Sequence, residues 1–346
     1  MLYIIKYCPL FIYHLMLINS THSLIDPLTG TIVVGAFIGG LYLKKFNYTT
    51  SIQNFRFSEI LSFSSCRERI DLNGLKNDLD KHFFGQHIAS NIILSALKGN
   101  SQRSEKNRKP LVMSFHGWTG VGKNFVTHLI ANHIFTTEKS KKLQYHIING
   151  RSSFTNSLKY EEYQETLFNK VYSDIKICPT NIFVFDEITK IPHGILDILI
   201  PIFENNVSTL DSRNSIFIFL TNTGEDVILD RYLQLWKKGY TREQMNVEHF
   251  DSVLQISVFN EQSGLKKSDI IDSHIIDHYV PFLPLEKSHV IQCIETELRN
   301  LNVTSSAEII ETVMQIITFG PEPERLFSLS GCKRIGQKVT QVVNQD

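Results

Sequence analysis

Gly117-Trp118-Thr119-Gly120-Val121-Gly122-Lys123 follows the spacing G-x-x-x-x-G-K, and its fixed positions have physical tasks. Glycines let successive backbone N–H groups curl round phosphate oxygens, the start of the following helix adds its positive dipole end, and Lys123 reaches the β- and γ-phosphates. Asn124 stands where a serine or threonine hydroxyl ordinarily approaches Mg²⁺. Its amide carbonyl can substitute with altered geometry, so slow or partner-dependent turnover and retained nucleotide binding are expected. A second group, Asp186-Glu187, ends the apolar run Ile182-Phe183-Val184-Phe185. There Asp186 is expected to hold Mg²⁺ through water and Glu187 to polarise the water that attacks the γ-phosphate. A third, Thr221-Asn222, follows the run Ser215 to Leu220, and the Asn222 amide can orient the same water. Acidic pairs and turn asparagines are common after strands. Weight comes from convergence, because ligands of doubly wound sheets gather outside the carboxyl ends of strands.

These groups require a strand, a loop and a helix in fixed order. Leu111 to Phe115, bounded by Pro110, reads as the strand before the loop, and Phe125 to Phe135 as the amphipathic helix after it. From about Tyr279 the character changes: Pro281 and Pro284 break the chain, and three helix-like stretches follow, near Glu286 to Asn300, Ser305 to Thr318 and Gly331 to Val343. The expected fold is α/β, a parallel-sheet nucleotide domain over 71–278 followed by a small helical domain over 279–346. Two units also suit 346 residues, more than the roughly 250 to 300 one core usually organises. Linkers are expected at Thr49 to Asp71 and in the polar run Gly99 to Pro110. Gly150-Arg151-Ser152-Ser153-Phe154 is a poor aromatic-glycine pore loop, so processive threading of polypeptide is not inferred.

The first 45 positions differ in kind. After Lys6, the apolar run Leu10 to Ile18 gives way to Asn19, Ser20, Thr21 and Ser23, the layout of a secretory signal peptide over 1–23, with an anchor as the alternative. Within 24–45, the apolar stretch Thr31 to Leu43 ends at Lys44 and Lys45. It is shorter than the roughly 20 residues that span a bilayer and is expected to lie in one leaflet at the membrane surface, with a buried core helix as the alternative; 46–70 is then a linker. Lys+Arg and Asp+Glu both number 35, which argues against a nucleic-acid partner. Cys8 would leave with the signal peptide, and Cys66, Cys178, Cys293 and Cys332 remain, an even set that an oxidising compartment allows to pair in three ways. None has the paired spacing of a zinc site. Acceptor sequons for N-glycosylation occur at Asn47, Asn206 and Asn302.

Taken together, FFGQH at Phe83 to His87, HGWTGVGKNFV at His116 to Val126, FVFDE at Phe183 to Glu187, SIFIFLTN at Ser215 to Asn222, VPFLPLE at Val280 to Glu286 and GCK at Gly331 to Lys333 resemble the torsin family of AAA+ ATPases across nearly the whole mature chain. The asparagine after the loop lysine is itself torsin-like. The resemblance implies a Clp/HSP100-related ATPase with ATP and Mg²⁺ as cofactors, in the endoplasmic reticulum lumen and perinuclear space and membrane-associated through its N-terminal apolar stretch. It implies weak catalysis without an arginine finger, which luminal domains of single-pass inner nuclear membrane and reticulum proteins supply in trans, and a homo- or hetero-oligomer. Chaperone-like remodelling or membrane homeostasis would be its role. By the same likeness Lys333 is a second sensor near the γ-phosphate, Cys332 pairs with Cys293, and Cys66 is left with Cys178. A regulatory Cys293–Cys332 bridge that moves Lys333 when reduced is one expectation, a plain staple the other. The rival readings are an ATP-gated scaffold with negligible hydrolysis and, more remotely, a phosphate-loop kinase.

Overall fold

The computed structural model describes residue 66 and residues 69–344, apart from 104–107, 261–269 and 271–273. The expected signal peptide (1–23) and leaflet segment (24–45), with Cys8, Asn47 and most of the expected 46–70 linker, lie outside the described residues.

Helices α1 (Leu72–His82) and α2 (His87–Gln102) precede strand β1 (Leu111–His116), which leads through the glycine loop into α3 (Lys123–Ile134). Then follow α4 (Glu138–Gln144), β2 (Tyr145–Asn149), the short α5 (Gly150–Ser153), α6 (Tyr160–Ile177), β3 (Ile182–Asp186), the short α7 (Ile200–Phe203) and β4 (Ile216–Thr221). Next come α8 (Glu225–Lys237), α9 (Asp251–Asn260) and β5 (His278–Pro281). The C-terminal part holds α10 (Lys287–Asn300), α11 (Ala307–Gln315), the β6 and β7 pair (Phe319–Gly320, Phe327–Ser328) and α12 (Ile335–Val343).

The large sheet has the order β2-β3-β4-β1-β5 and is parallel throughout. Parallel strands covered on both faces read as continuous apolar runs, and β1 and β4 are buried along their whole length. Alternation within β1 divides the core. Met113 and Phe115 join α1, α2 and α3 on one face; Val112 joins Phe183, Phe185, Phe217 and Phe219 against α6 on the other. Phe183 and Phe217 stack with centroids 5.1 Å apart, and Phe203 meets Phe217 edge-on at 4.8 Å, geometries that add to the burial of the rings.

Several boundaries differ from the sequence expectation. The domain break placed at Tyr279 falls inside β5, which pairs with β1 through Met113↔His278 to His116↔Pro281. An edge strand tolerates Pro281 because its missing N–H faces no second neighbour, so the helical unit begins after the sheet's last strand. The expected Gly99 to Pro110 linker shortens, since α2 runs on through Gln102. Helix α3 starts at Lys123 instead of Phe125, because Gly122 at φ 100° turns the chain directly into it. Helix α12 starts at Ile335 instead of Gly331: Gly331 has φ 54°, and the Cys332 N–H is donated to Gly120 O at 2.9 Å, outside any helix. Helix α11 is shorter than Ser305 to Thr318, starting after the Ser306 cap, whose side chain accepts from Ile309 N.

Disulfides join Cys66 to Cys178 and Cys293 to Cys332. The first ties the segment before α1 to the end of α6; the second ties α10 to the turn before α12. Among the described residues no helix is long and apolar enough to cross a membrane.

Candidate functional site

β1 and β4 are neighbours in register from Leu111↔Ile216 to His116↔Thr221, and β3 pairs with β4 on its other side. Three parallel strands that end together deliver Gly117, Asp186 and Asn222 to one edge of the sheet. There Asp186 and Asn222 border a cavity of about 780 Å³ whose walls also include Trp118, Lys123, Asn124, Glu187 and Lys333. All eight positions of the loop from Gly117 to Asn124 were singled out in sequence. Gly120 has φ 73° and Gly122 φ 100°. A Cβ on Gly117 would lie 2.5 Å from Phe282 O, and one on Gly120 2.0 Å from Ser330 O, so the loop's backbone packs directly on the segment that enters the C-terminal helices and on the turn before α12.

Lys123 Nζ donates to Asn222 Oδ1 at 2.9 Å, to Trp118 O at 2.8 Å and to Gly117 O. Burial pulls its pKa down to about 8, opposed by the Glu225 and Asp186 carboxylates and helped by Lys333. It is therefore a cation whose scant hydration makes an anionic partner favourable. These contacts place Lys123 and Asn222 side by side, and Lys333 lines the same cavity. Asn124 Nδ2 lies 3.2 Å from Asp186 Oδ2. With the amide turned over, the two side chains present oxygens to one space, a donor set that fits Mg²⁺, which keeps water or phosphate oxygens in its other positions. Asp186 Oδ1 accepts the Glu187 N–H at 2.8 Å, and Glu187 sits at φ 51°, in the left-handed region where a non-glycine residue stores strain and where such strain clusters at functional sites.

Some contributors escape motif reading. His116, fully buried, has Nδ1 3.0 Å from Thr223 O and Nε2 2.7 Å from Ser114 Oγ. A carbonyl only accepts, so Nδ1 carries the proton and Nε2 accepts from Ser114; the ring thereby anchors the turn that carries Asn222. Gln86, also buried, donates to Leu283 O at 2.8 Å and Val121 O at 3.3 Å and accepts from Leu283 N at 2.9 Å. It couples the glycine loop to the segment entering the C-terminal helices. FFGQH marked Gln86 in sequence without showing its task.

Burial lowers the His116 pKa to about 4. The imidazole is neutral in the fold and takes up a proton when unfolded, so its contribution is complete above the ordinary value of about 6.5 and is lost as pH falls from there toward 4. Between pH 7.5 and 5 stability is expected to drop by about 2 kcal/mol from this residue alone. Urea unfolding across that range measures it; His116→Asn should flatten the slope, and an unchanged slope would contradict the assignment.

Asn206 and Asn302, the sequon asparagines among the described residues, are exposed.

The family model Torsin matches residues 56–185, and Torsin-1A, C-terminal domain, matches residues 285–341. A "Torsin-like protein" of Caenorhabditis elegans is 33% identical over 348 residues, covering 96% of this chain and 94% of that relative. A "Torsin-like protein" of Drosophila melanogaster is 35% identical over 326 residues, covering 92% and 93%. Among solved structures, "S. cerevisiae Hsp104-ADP complex" aligns with TM-score 0.56 over 83% of this chain and 49% of that one, at 15% identity, a likeness of fold: the AAA+ α/β domain with its helical appendage. Sequence and architecture agree, and the chain belongs to the torsin family of AAA+ proteins.

Proposed function

We propose that this chain binds ATP with Mg²⁺ and hydrolyses it to ADP and phosphate. The observation that carries the reading is one cavity lined by Lys123, Asp186, Glu187, Asn222 and Lys333. The loop amides and Lys123 hold the phosphates, while Asp186 and Asn124 would hold Mg²⁺, which supplies neutralisation of the charge that develops on the β- and γ-oxygens. Glu187 accepts a proton from the attacking water as the water oxygen bonds to the γ-phosphorus and the bond to the leaving ADP oxygen breaks. Asn222 orients that water, and Lys333 balances charge from the helical side.

Torsin membership and the sequence expectations support a further placing of the enzyme in the lumen of the endoplasmic reticulum and the perinuclear space, held at the membrane surface by 24–45 after loss of the signal peptide. Turnover there is low until the luminal domain of a single-pass membrane protein donates an arginine, an addition generally worth about 10³ to 10⁵ in phosphoryl transfer. Its work is chaperone-like remodelling or membrane homeostasis, with Asn47, Asn206 and Asn302 as glycosylation sites and the Cys293–Cys332 bridge beside Lys333 as a redox control point.

The test is ATP hydrolysis by the mature protein alone and with such a luminal domain. A low basal rate raised at least a hundredfold supports partner activation. Binding without hydrolysis in either condition would leave an ATP-gated scaffold instead.

A further inference from the structure

Arg242 is a cation enclosed by the fold, its side chain only 4% exposed. Helix α8 closes at Gly239, φ 87°, whose N–H is donated to Trp236 O while the Tyr240 N–H is donated to Leu235 O, and the next turn is held by the Thr241 N–H donated to Gln244 Oε1 at 2.9 Å. These caps fix the backbone that presents Arg242. Its Nε and Nη2 both donate to Gly85 O, at 2.9 and 2.6 Å, and its Nη1 donates to Pro284 O at 2.9 Å and to Glu286 Oε1 at 3.4 Å. Tyr232 of α8, itself buried, donates its hydroxyl to the same Glu286 oxygen and lies under the guanidinium, 5.4 Å from ring centroid to Cζ. A buried cation is costly unless paired and hydrogen-bonded; this one is paired with Glu286 and bonded to two carbonyls.

The segments it joins belong to two walls of the cavity. Gly85 follows Phe84, and Leu285 lies between Pro284 and Glu286; Phe83, Phe84 and Leu285 line the cavity, as do Thr296 and Asn300 of α10, the helix that Glu286 caps. Turn and helix also touch directly. Gly85 has φ 69°, and a Cβ there would lie 2.8 Å from the His289 ring. We infer that Arg242 is a positioning residue for the base and ribose of the bound nucleotide: it sets the separation of the Phe83-Phe84 turn from α10, and so the width of the slot that takes a flat, largely apolar base. This deepens the nucleotide-binding reading above and rests on it, with the phosphates left to the glycine loop and Lys123. A planar fork can bridge two carbonyls and a carboxylate at once; the lysine ammonium is a single point of charge.

The test measures the affinities of the mature protein, Arg242→Lys and Gly85→Ala for ATP and for inorganic tripolyphosphate, both with Mg²⁺, well below the melting temperature of each. Tripolyphosphate can engage the loop but offers no base or ribose to the two walls. Arg242→Lys should bind ATP about tenfold more weakly, a change within the worth of one hydrogen bond to a charged group, and tripolyphosphate within about twofold. Gly85→Ala leaves the guanidinium in place but forces the turn away from His289, so the same selective loss is expected, and this variant decides the matter if Arg242→Lys does not fold. Unchanged ATP affinity in either folded variant overturns the positioning role while leaving nucleotide binding standing. An equal loss of ATP and tripolyphosphate overturns it too, by showing that the whole site has loosened. Absence of ATP binding by the unaltered protein overturns the nucleotide-binding reading and the positioning role with it.

Discussion

Glu187→Gln is expected to lower ATP hydrolysis by about two to four orders of magnitude, the usual worth of a positioned proton acceptor, while ATP affinity stays within a few-fold. Glutamine keeps the volume, accommodates the same φ of 51° and leaves Lys123, Asn124 and Asp186 in place; what it removes is the oxygen proposed to accept the proton. The separation of the two effects is the informative part. Because β3 delivers Asp186 and Glu187 as neighbours, with the Glu187 amide bonded to Asp186 Oδ1, a variant that disturbed the backbone would weaken metal and nucleotide binding as well. Steady-state hydrolysis with parallel titration of a fluorescent ATP analogue distinguishes these outcomes. Wild-type turnover in the variant would remove Glu187 from the chemistry.

The double variant Cys66→Ser/Cys178→Ser is expected to lose about 3 to 5 kcal/mol of stability and to melt about 10 °C lower. The bridge joins positions 112 apart in sequence, and closing a loop of that length removes chain entropy worth roughly 5 kcal/mol from the unfolded ensemble, a large share of the roughly 5 to 15 kcal/mol that stabilises an ordinary domain. Both cysteines are buried, so serine also leaves two hydroxyls to find partners. Cys293→Ser/Cys332→Ser, which opens a separation of 39, should cost less. Thermal melts of the two double variants measure the contrast, and a change below about 2 °C in the first would show that the bridge adds nothing beyond packing.

The β1–loop–α3 unit could be read from sequence because its cues are contiguous: an apolar run, glycines at fixed spacing and a lysine at the helix start. Asp186-Glu187 and Asn222 were readable because apolar runs ending in polar pairs mark the carboxyl ends of buried strands. The order of strands was not readable, nor was β5, since His278 to Pro281 is short, proline-bearing and recognisable as a strand only beside β1. The ion pair of Arg151 with Glu187 was hidden for the same reason: it follows from the register Asn149↔Asp186, a long-range pairing that leaves no local mark. A histidine before the glycine loop announced nothing of the Thr223 carbonyl it holds, which belongs to a turn distant in sequence.

The Cys332 N–H donated to Gly120 O, with Gly331 so close that a Cβ there would lie 2.3 Å from the same oxygen, carries a consequence for biosynthesis. A ribosome emits Gly120 long before Cys332, so a nascent chain can assemble β1 to β4 while its glycine loop still lacks the backbone partner that seats it. Ligand binding stabilises only what can bind. A chain that ends before the α12 turn is therefore expected to gain less stability from nucleotide than the whole protein does.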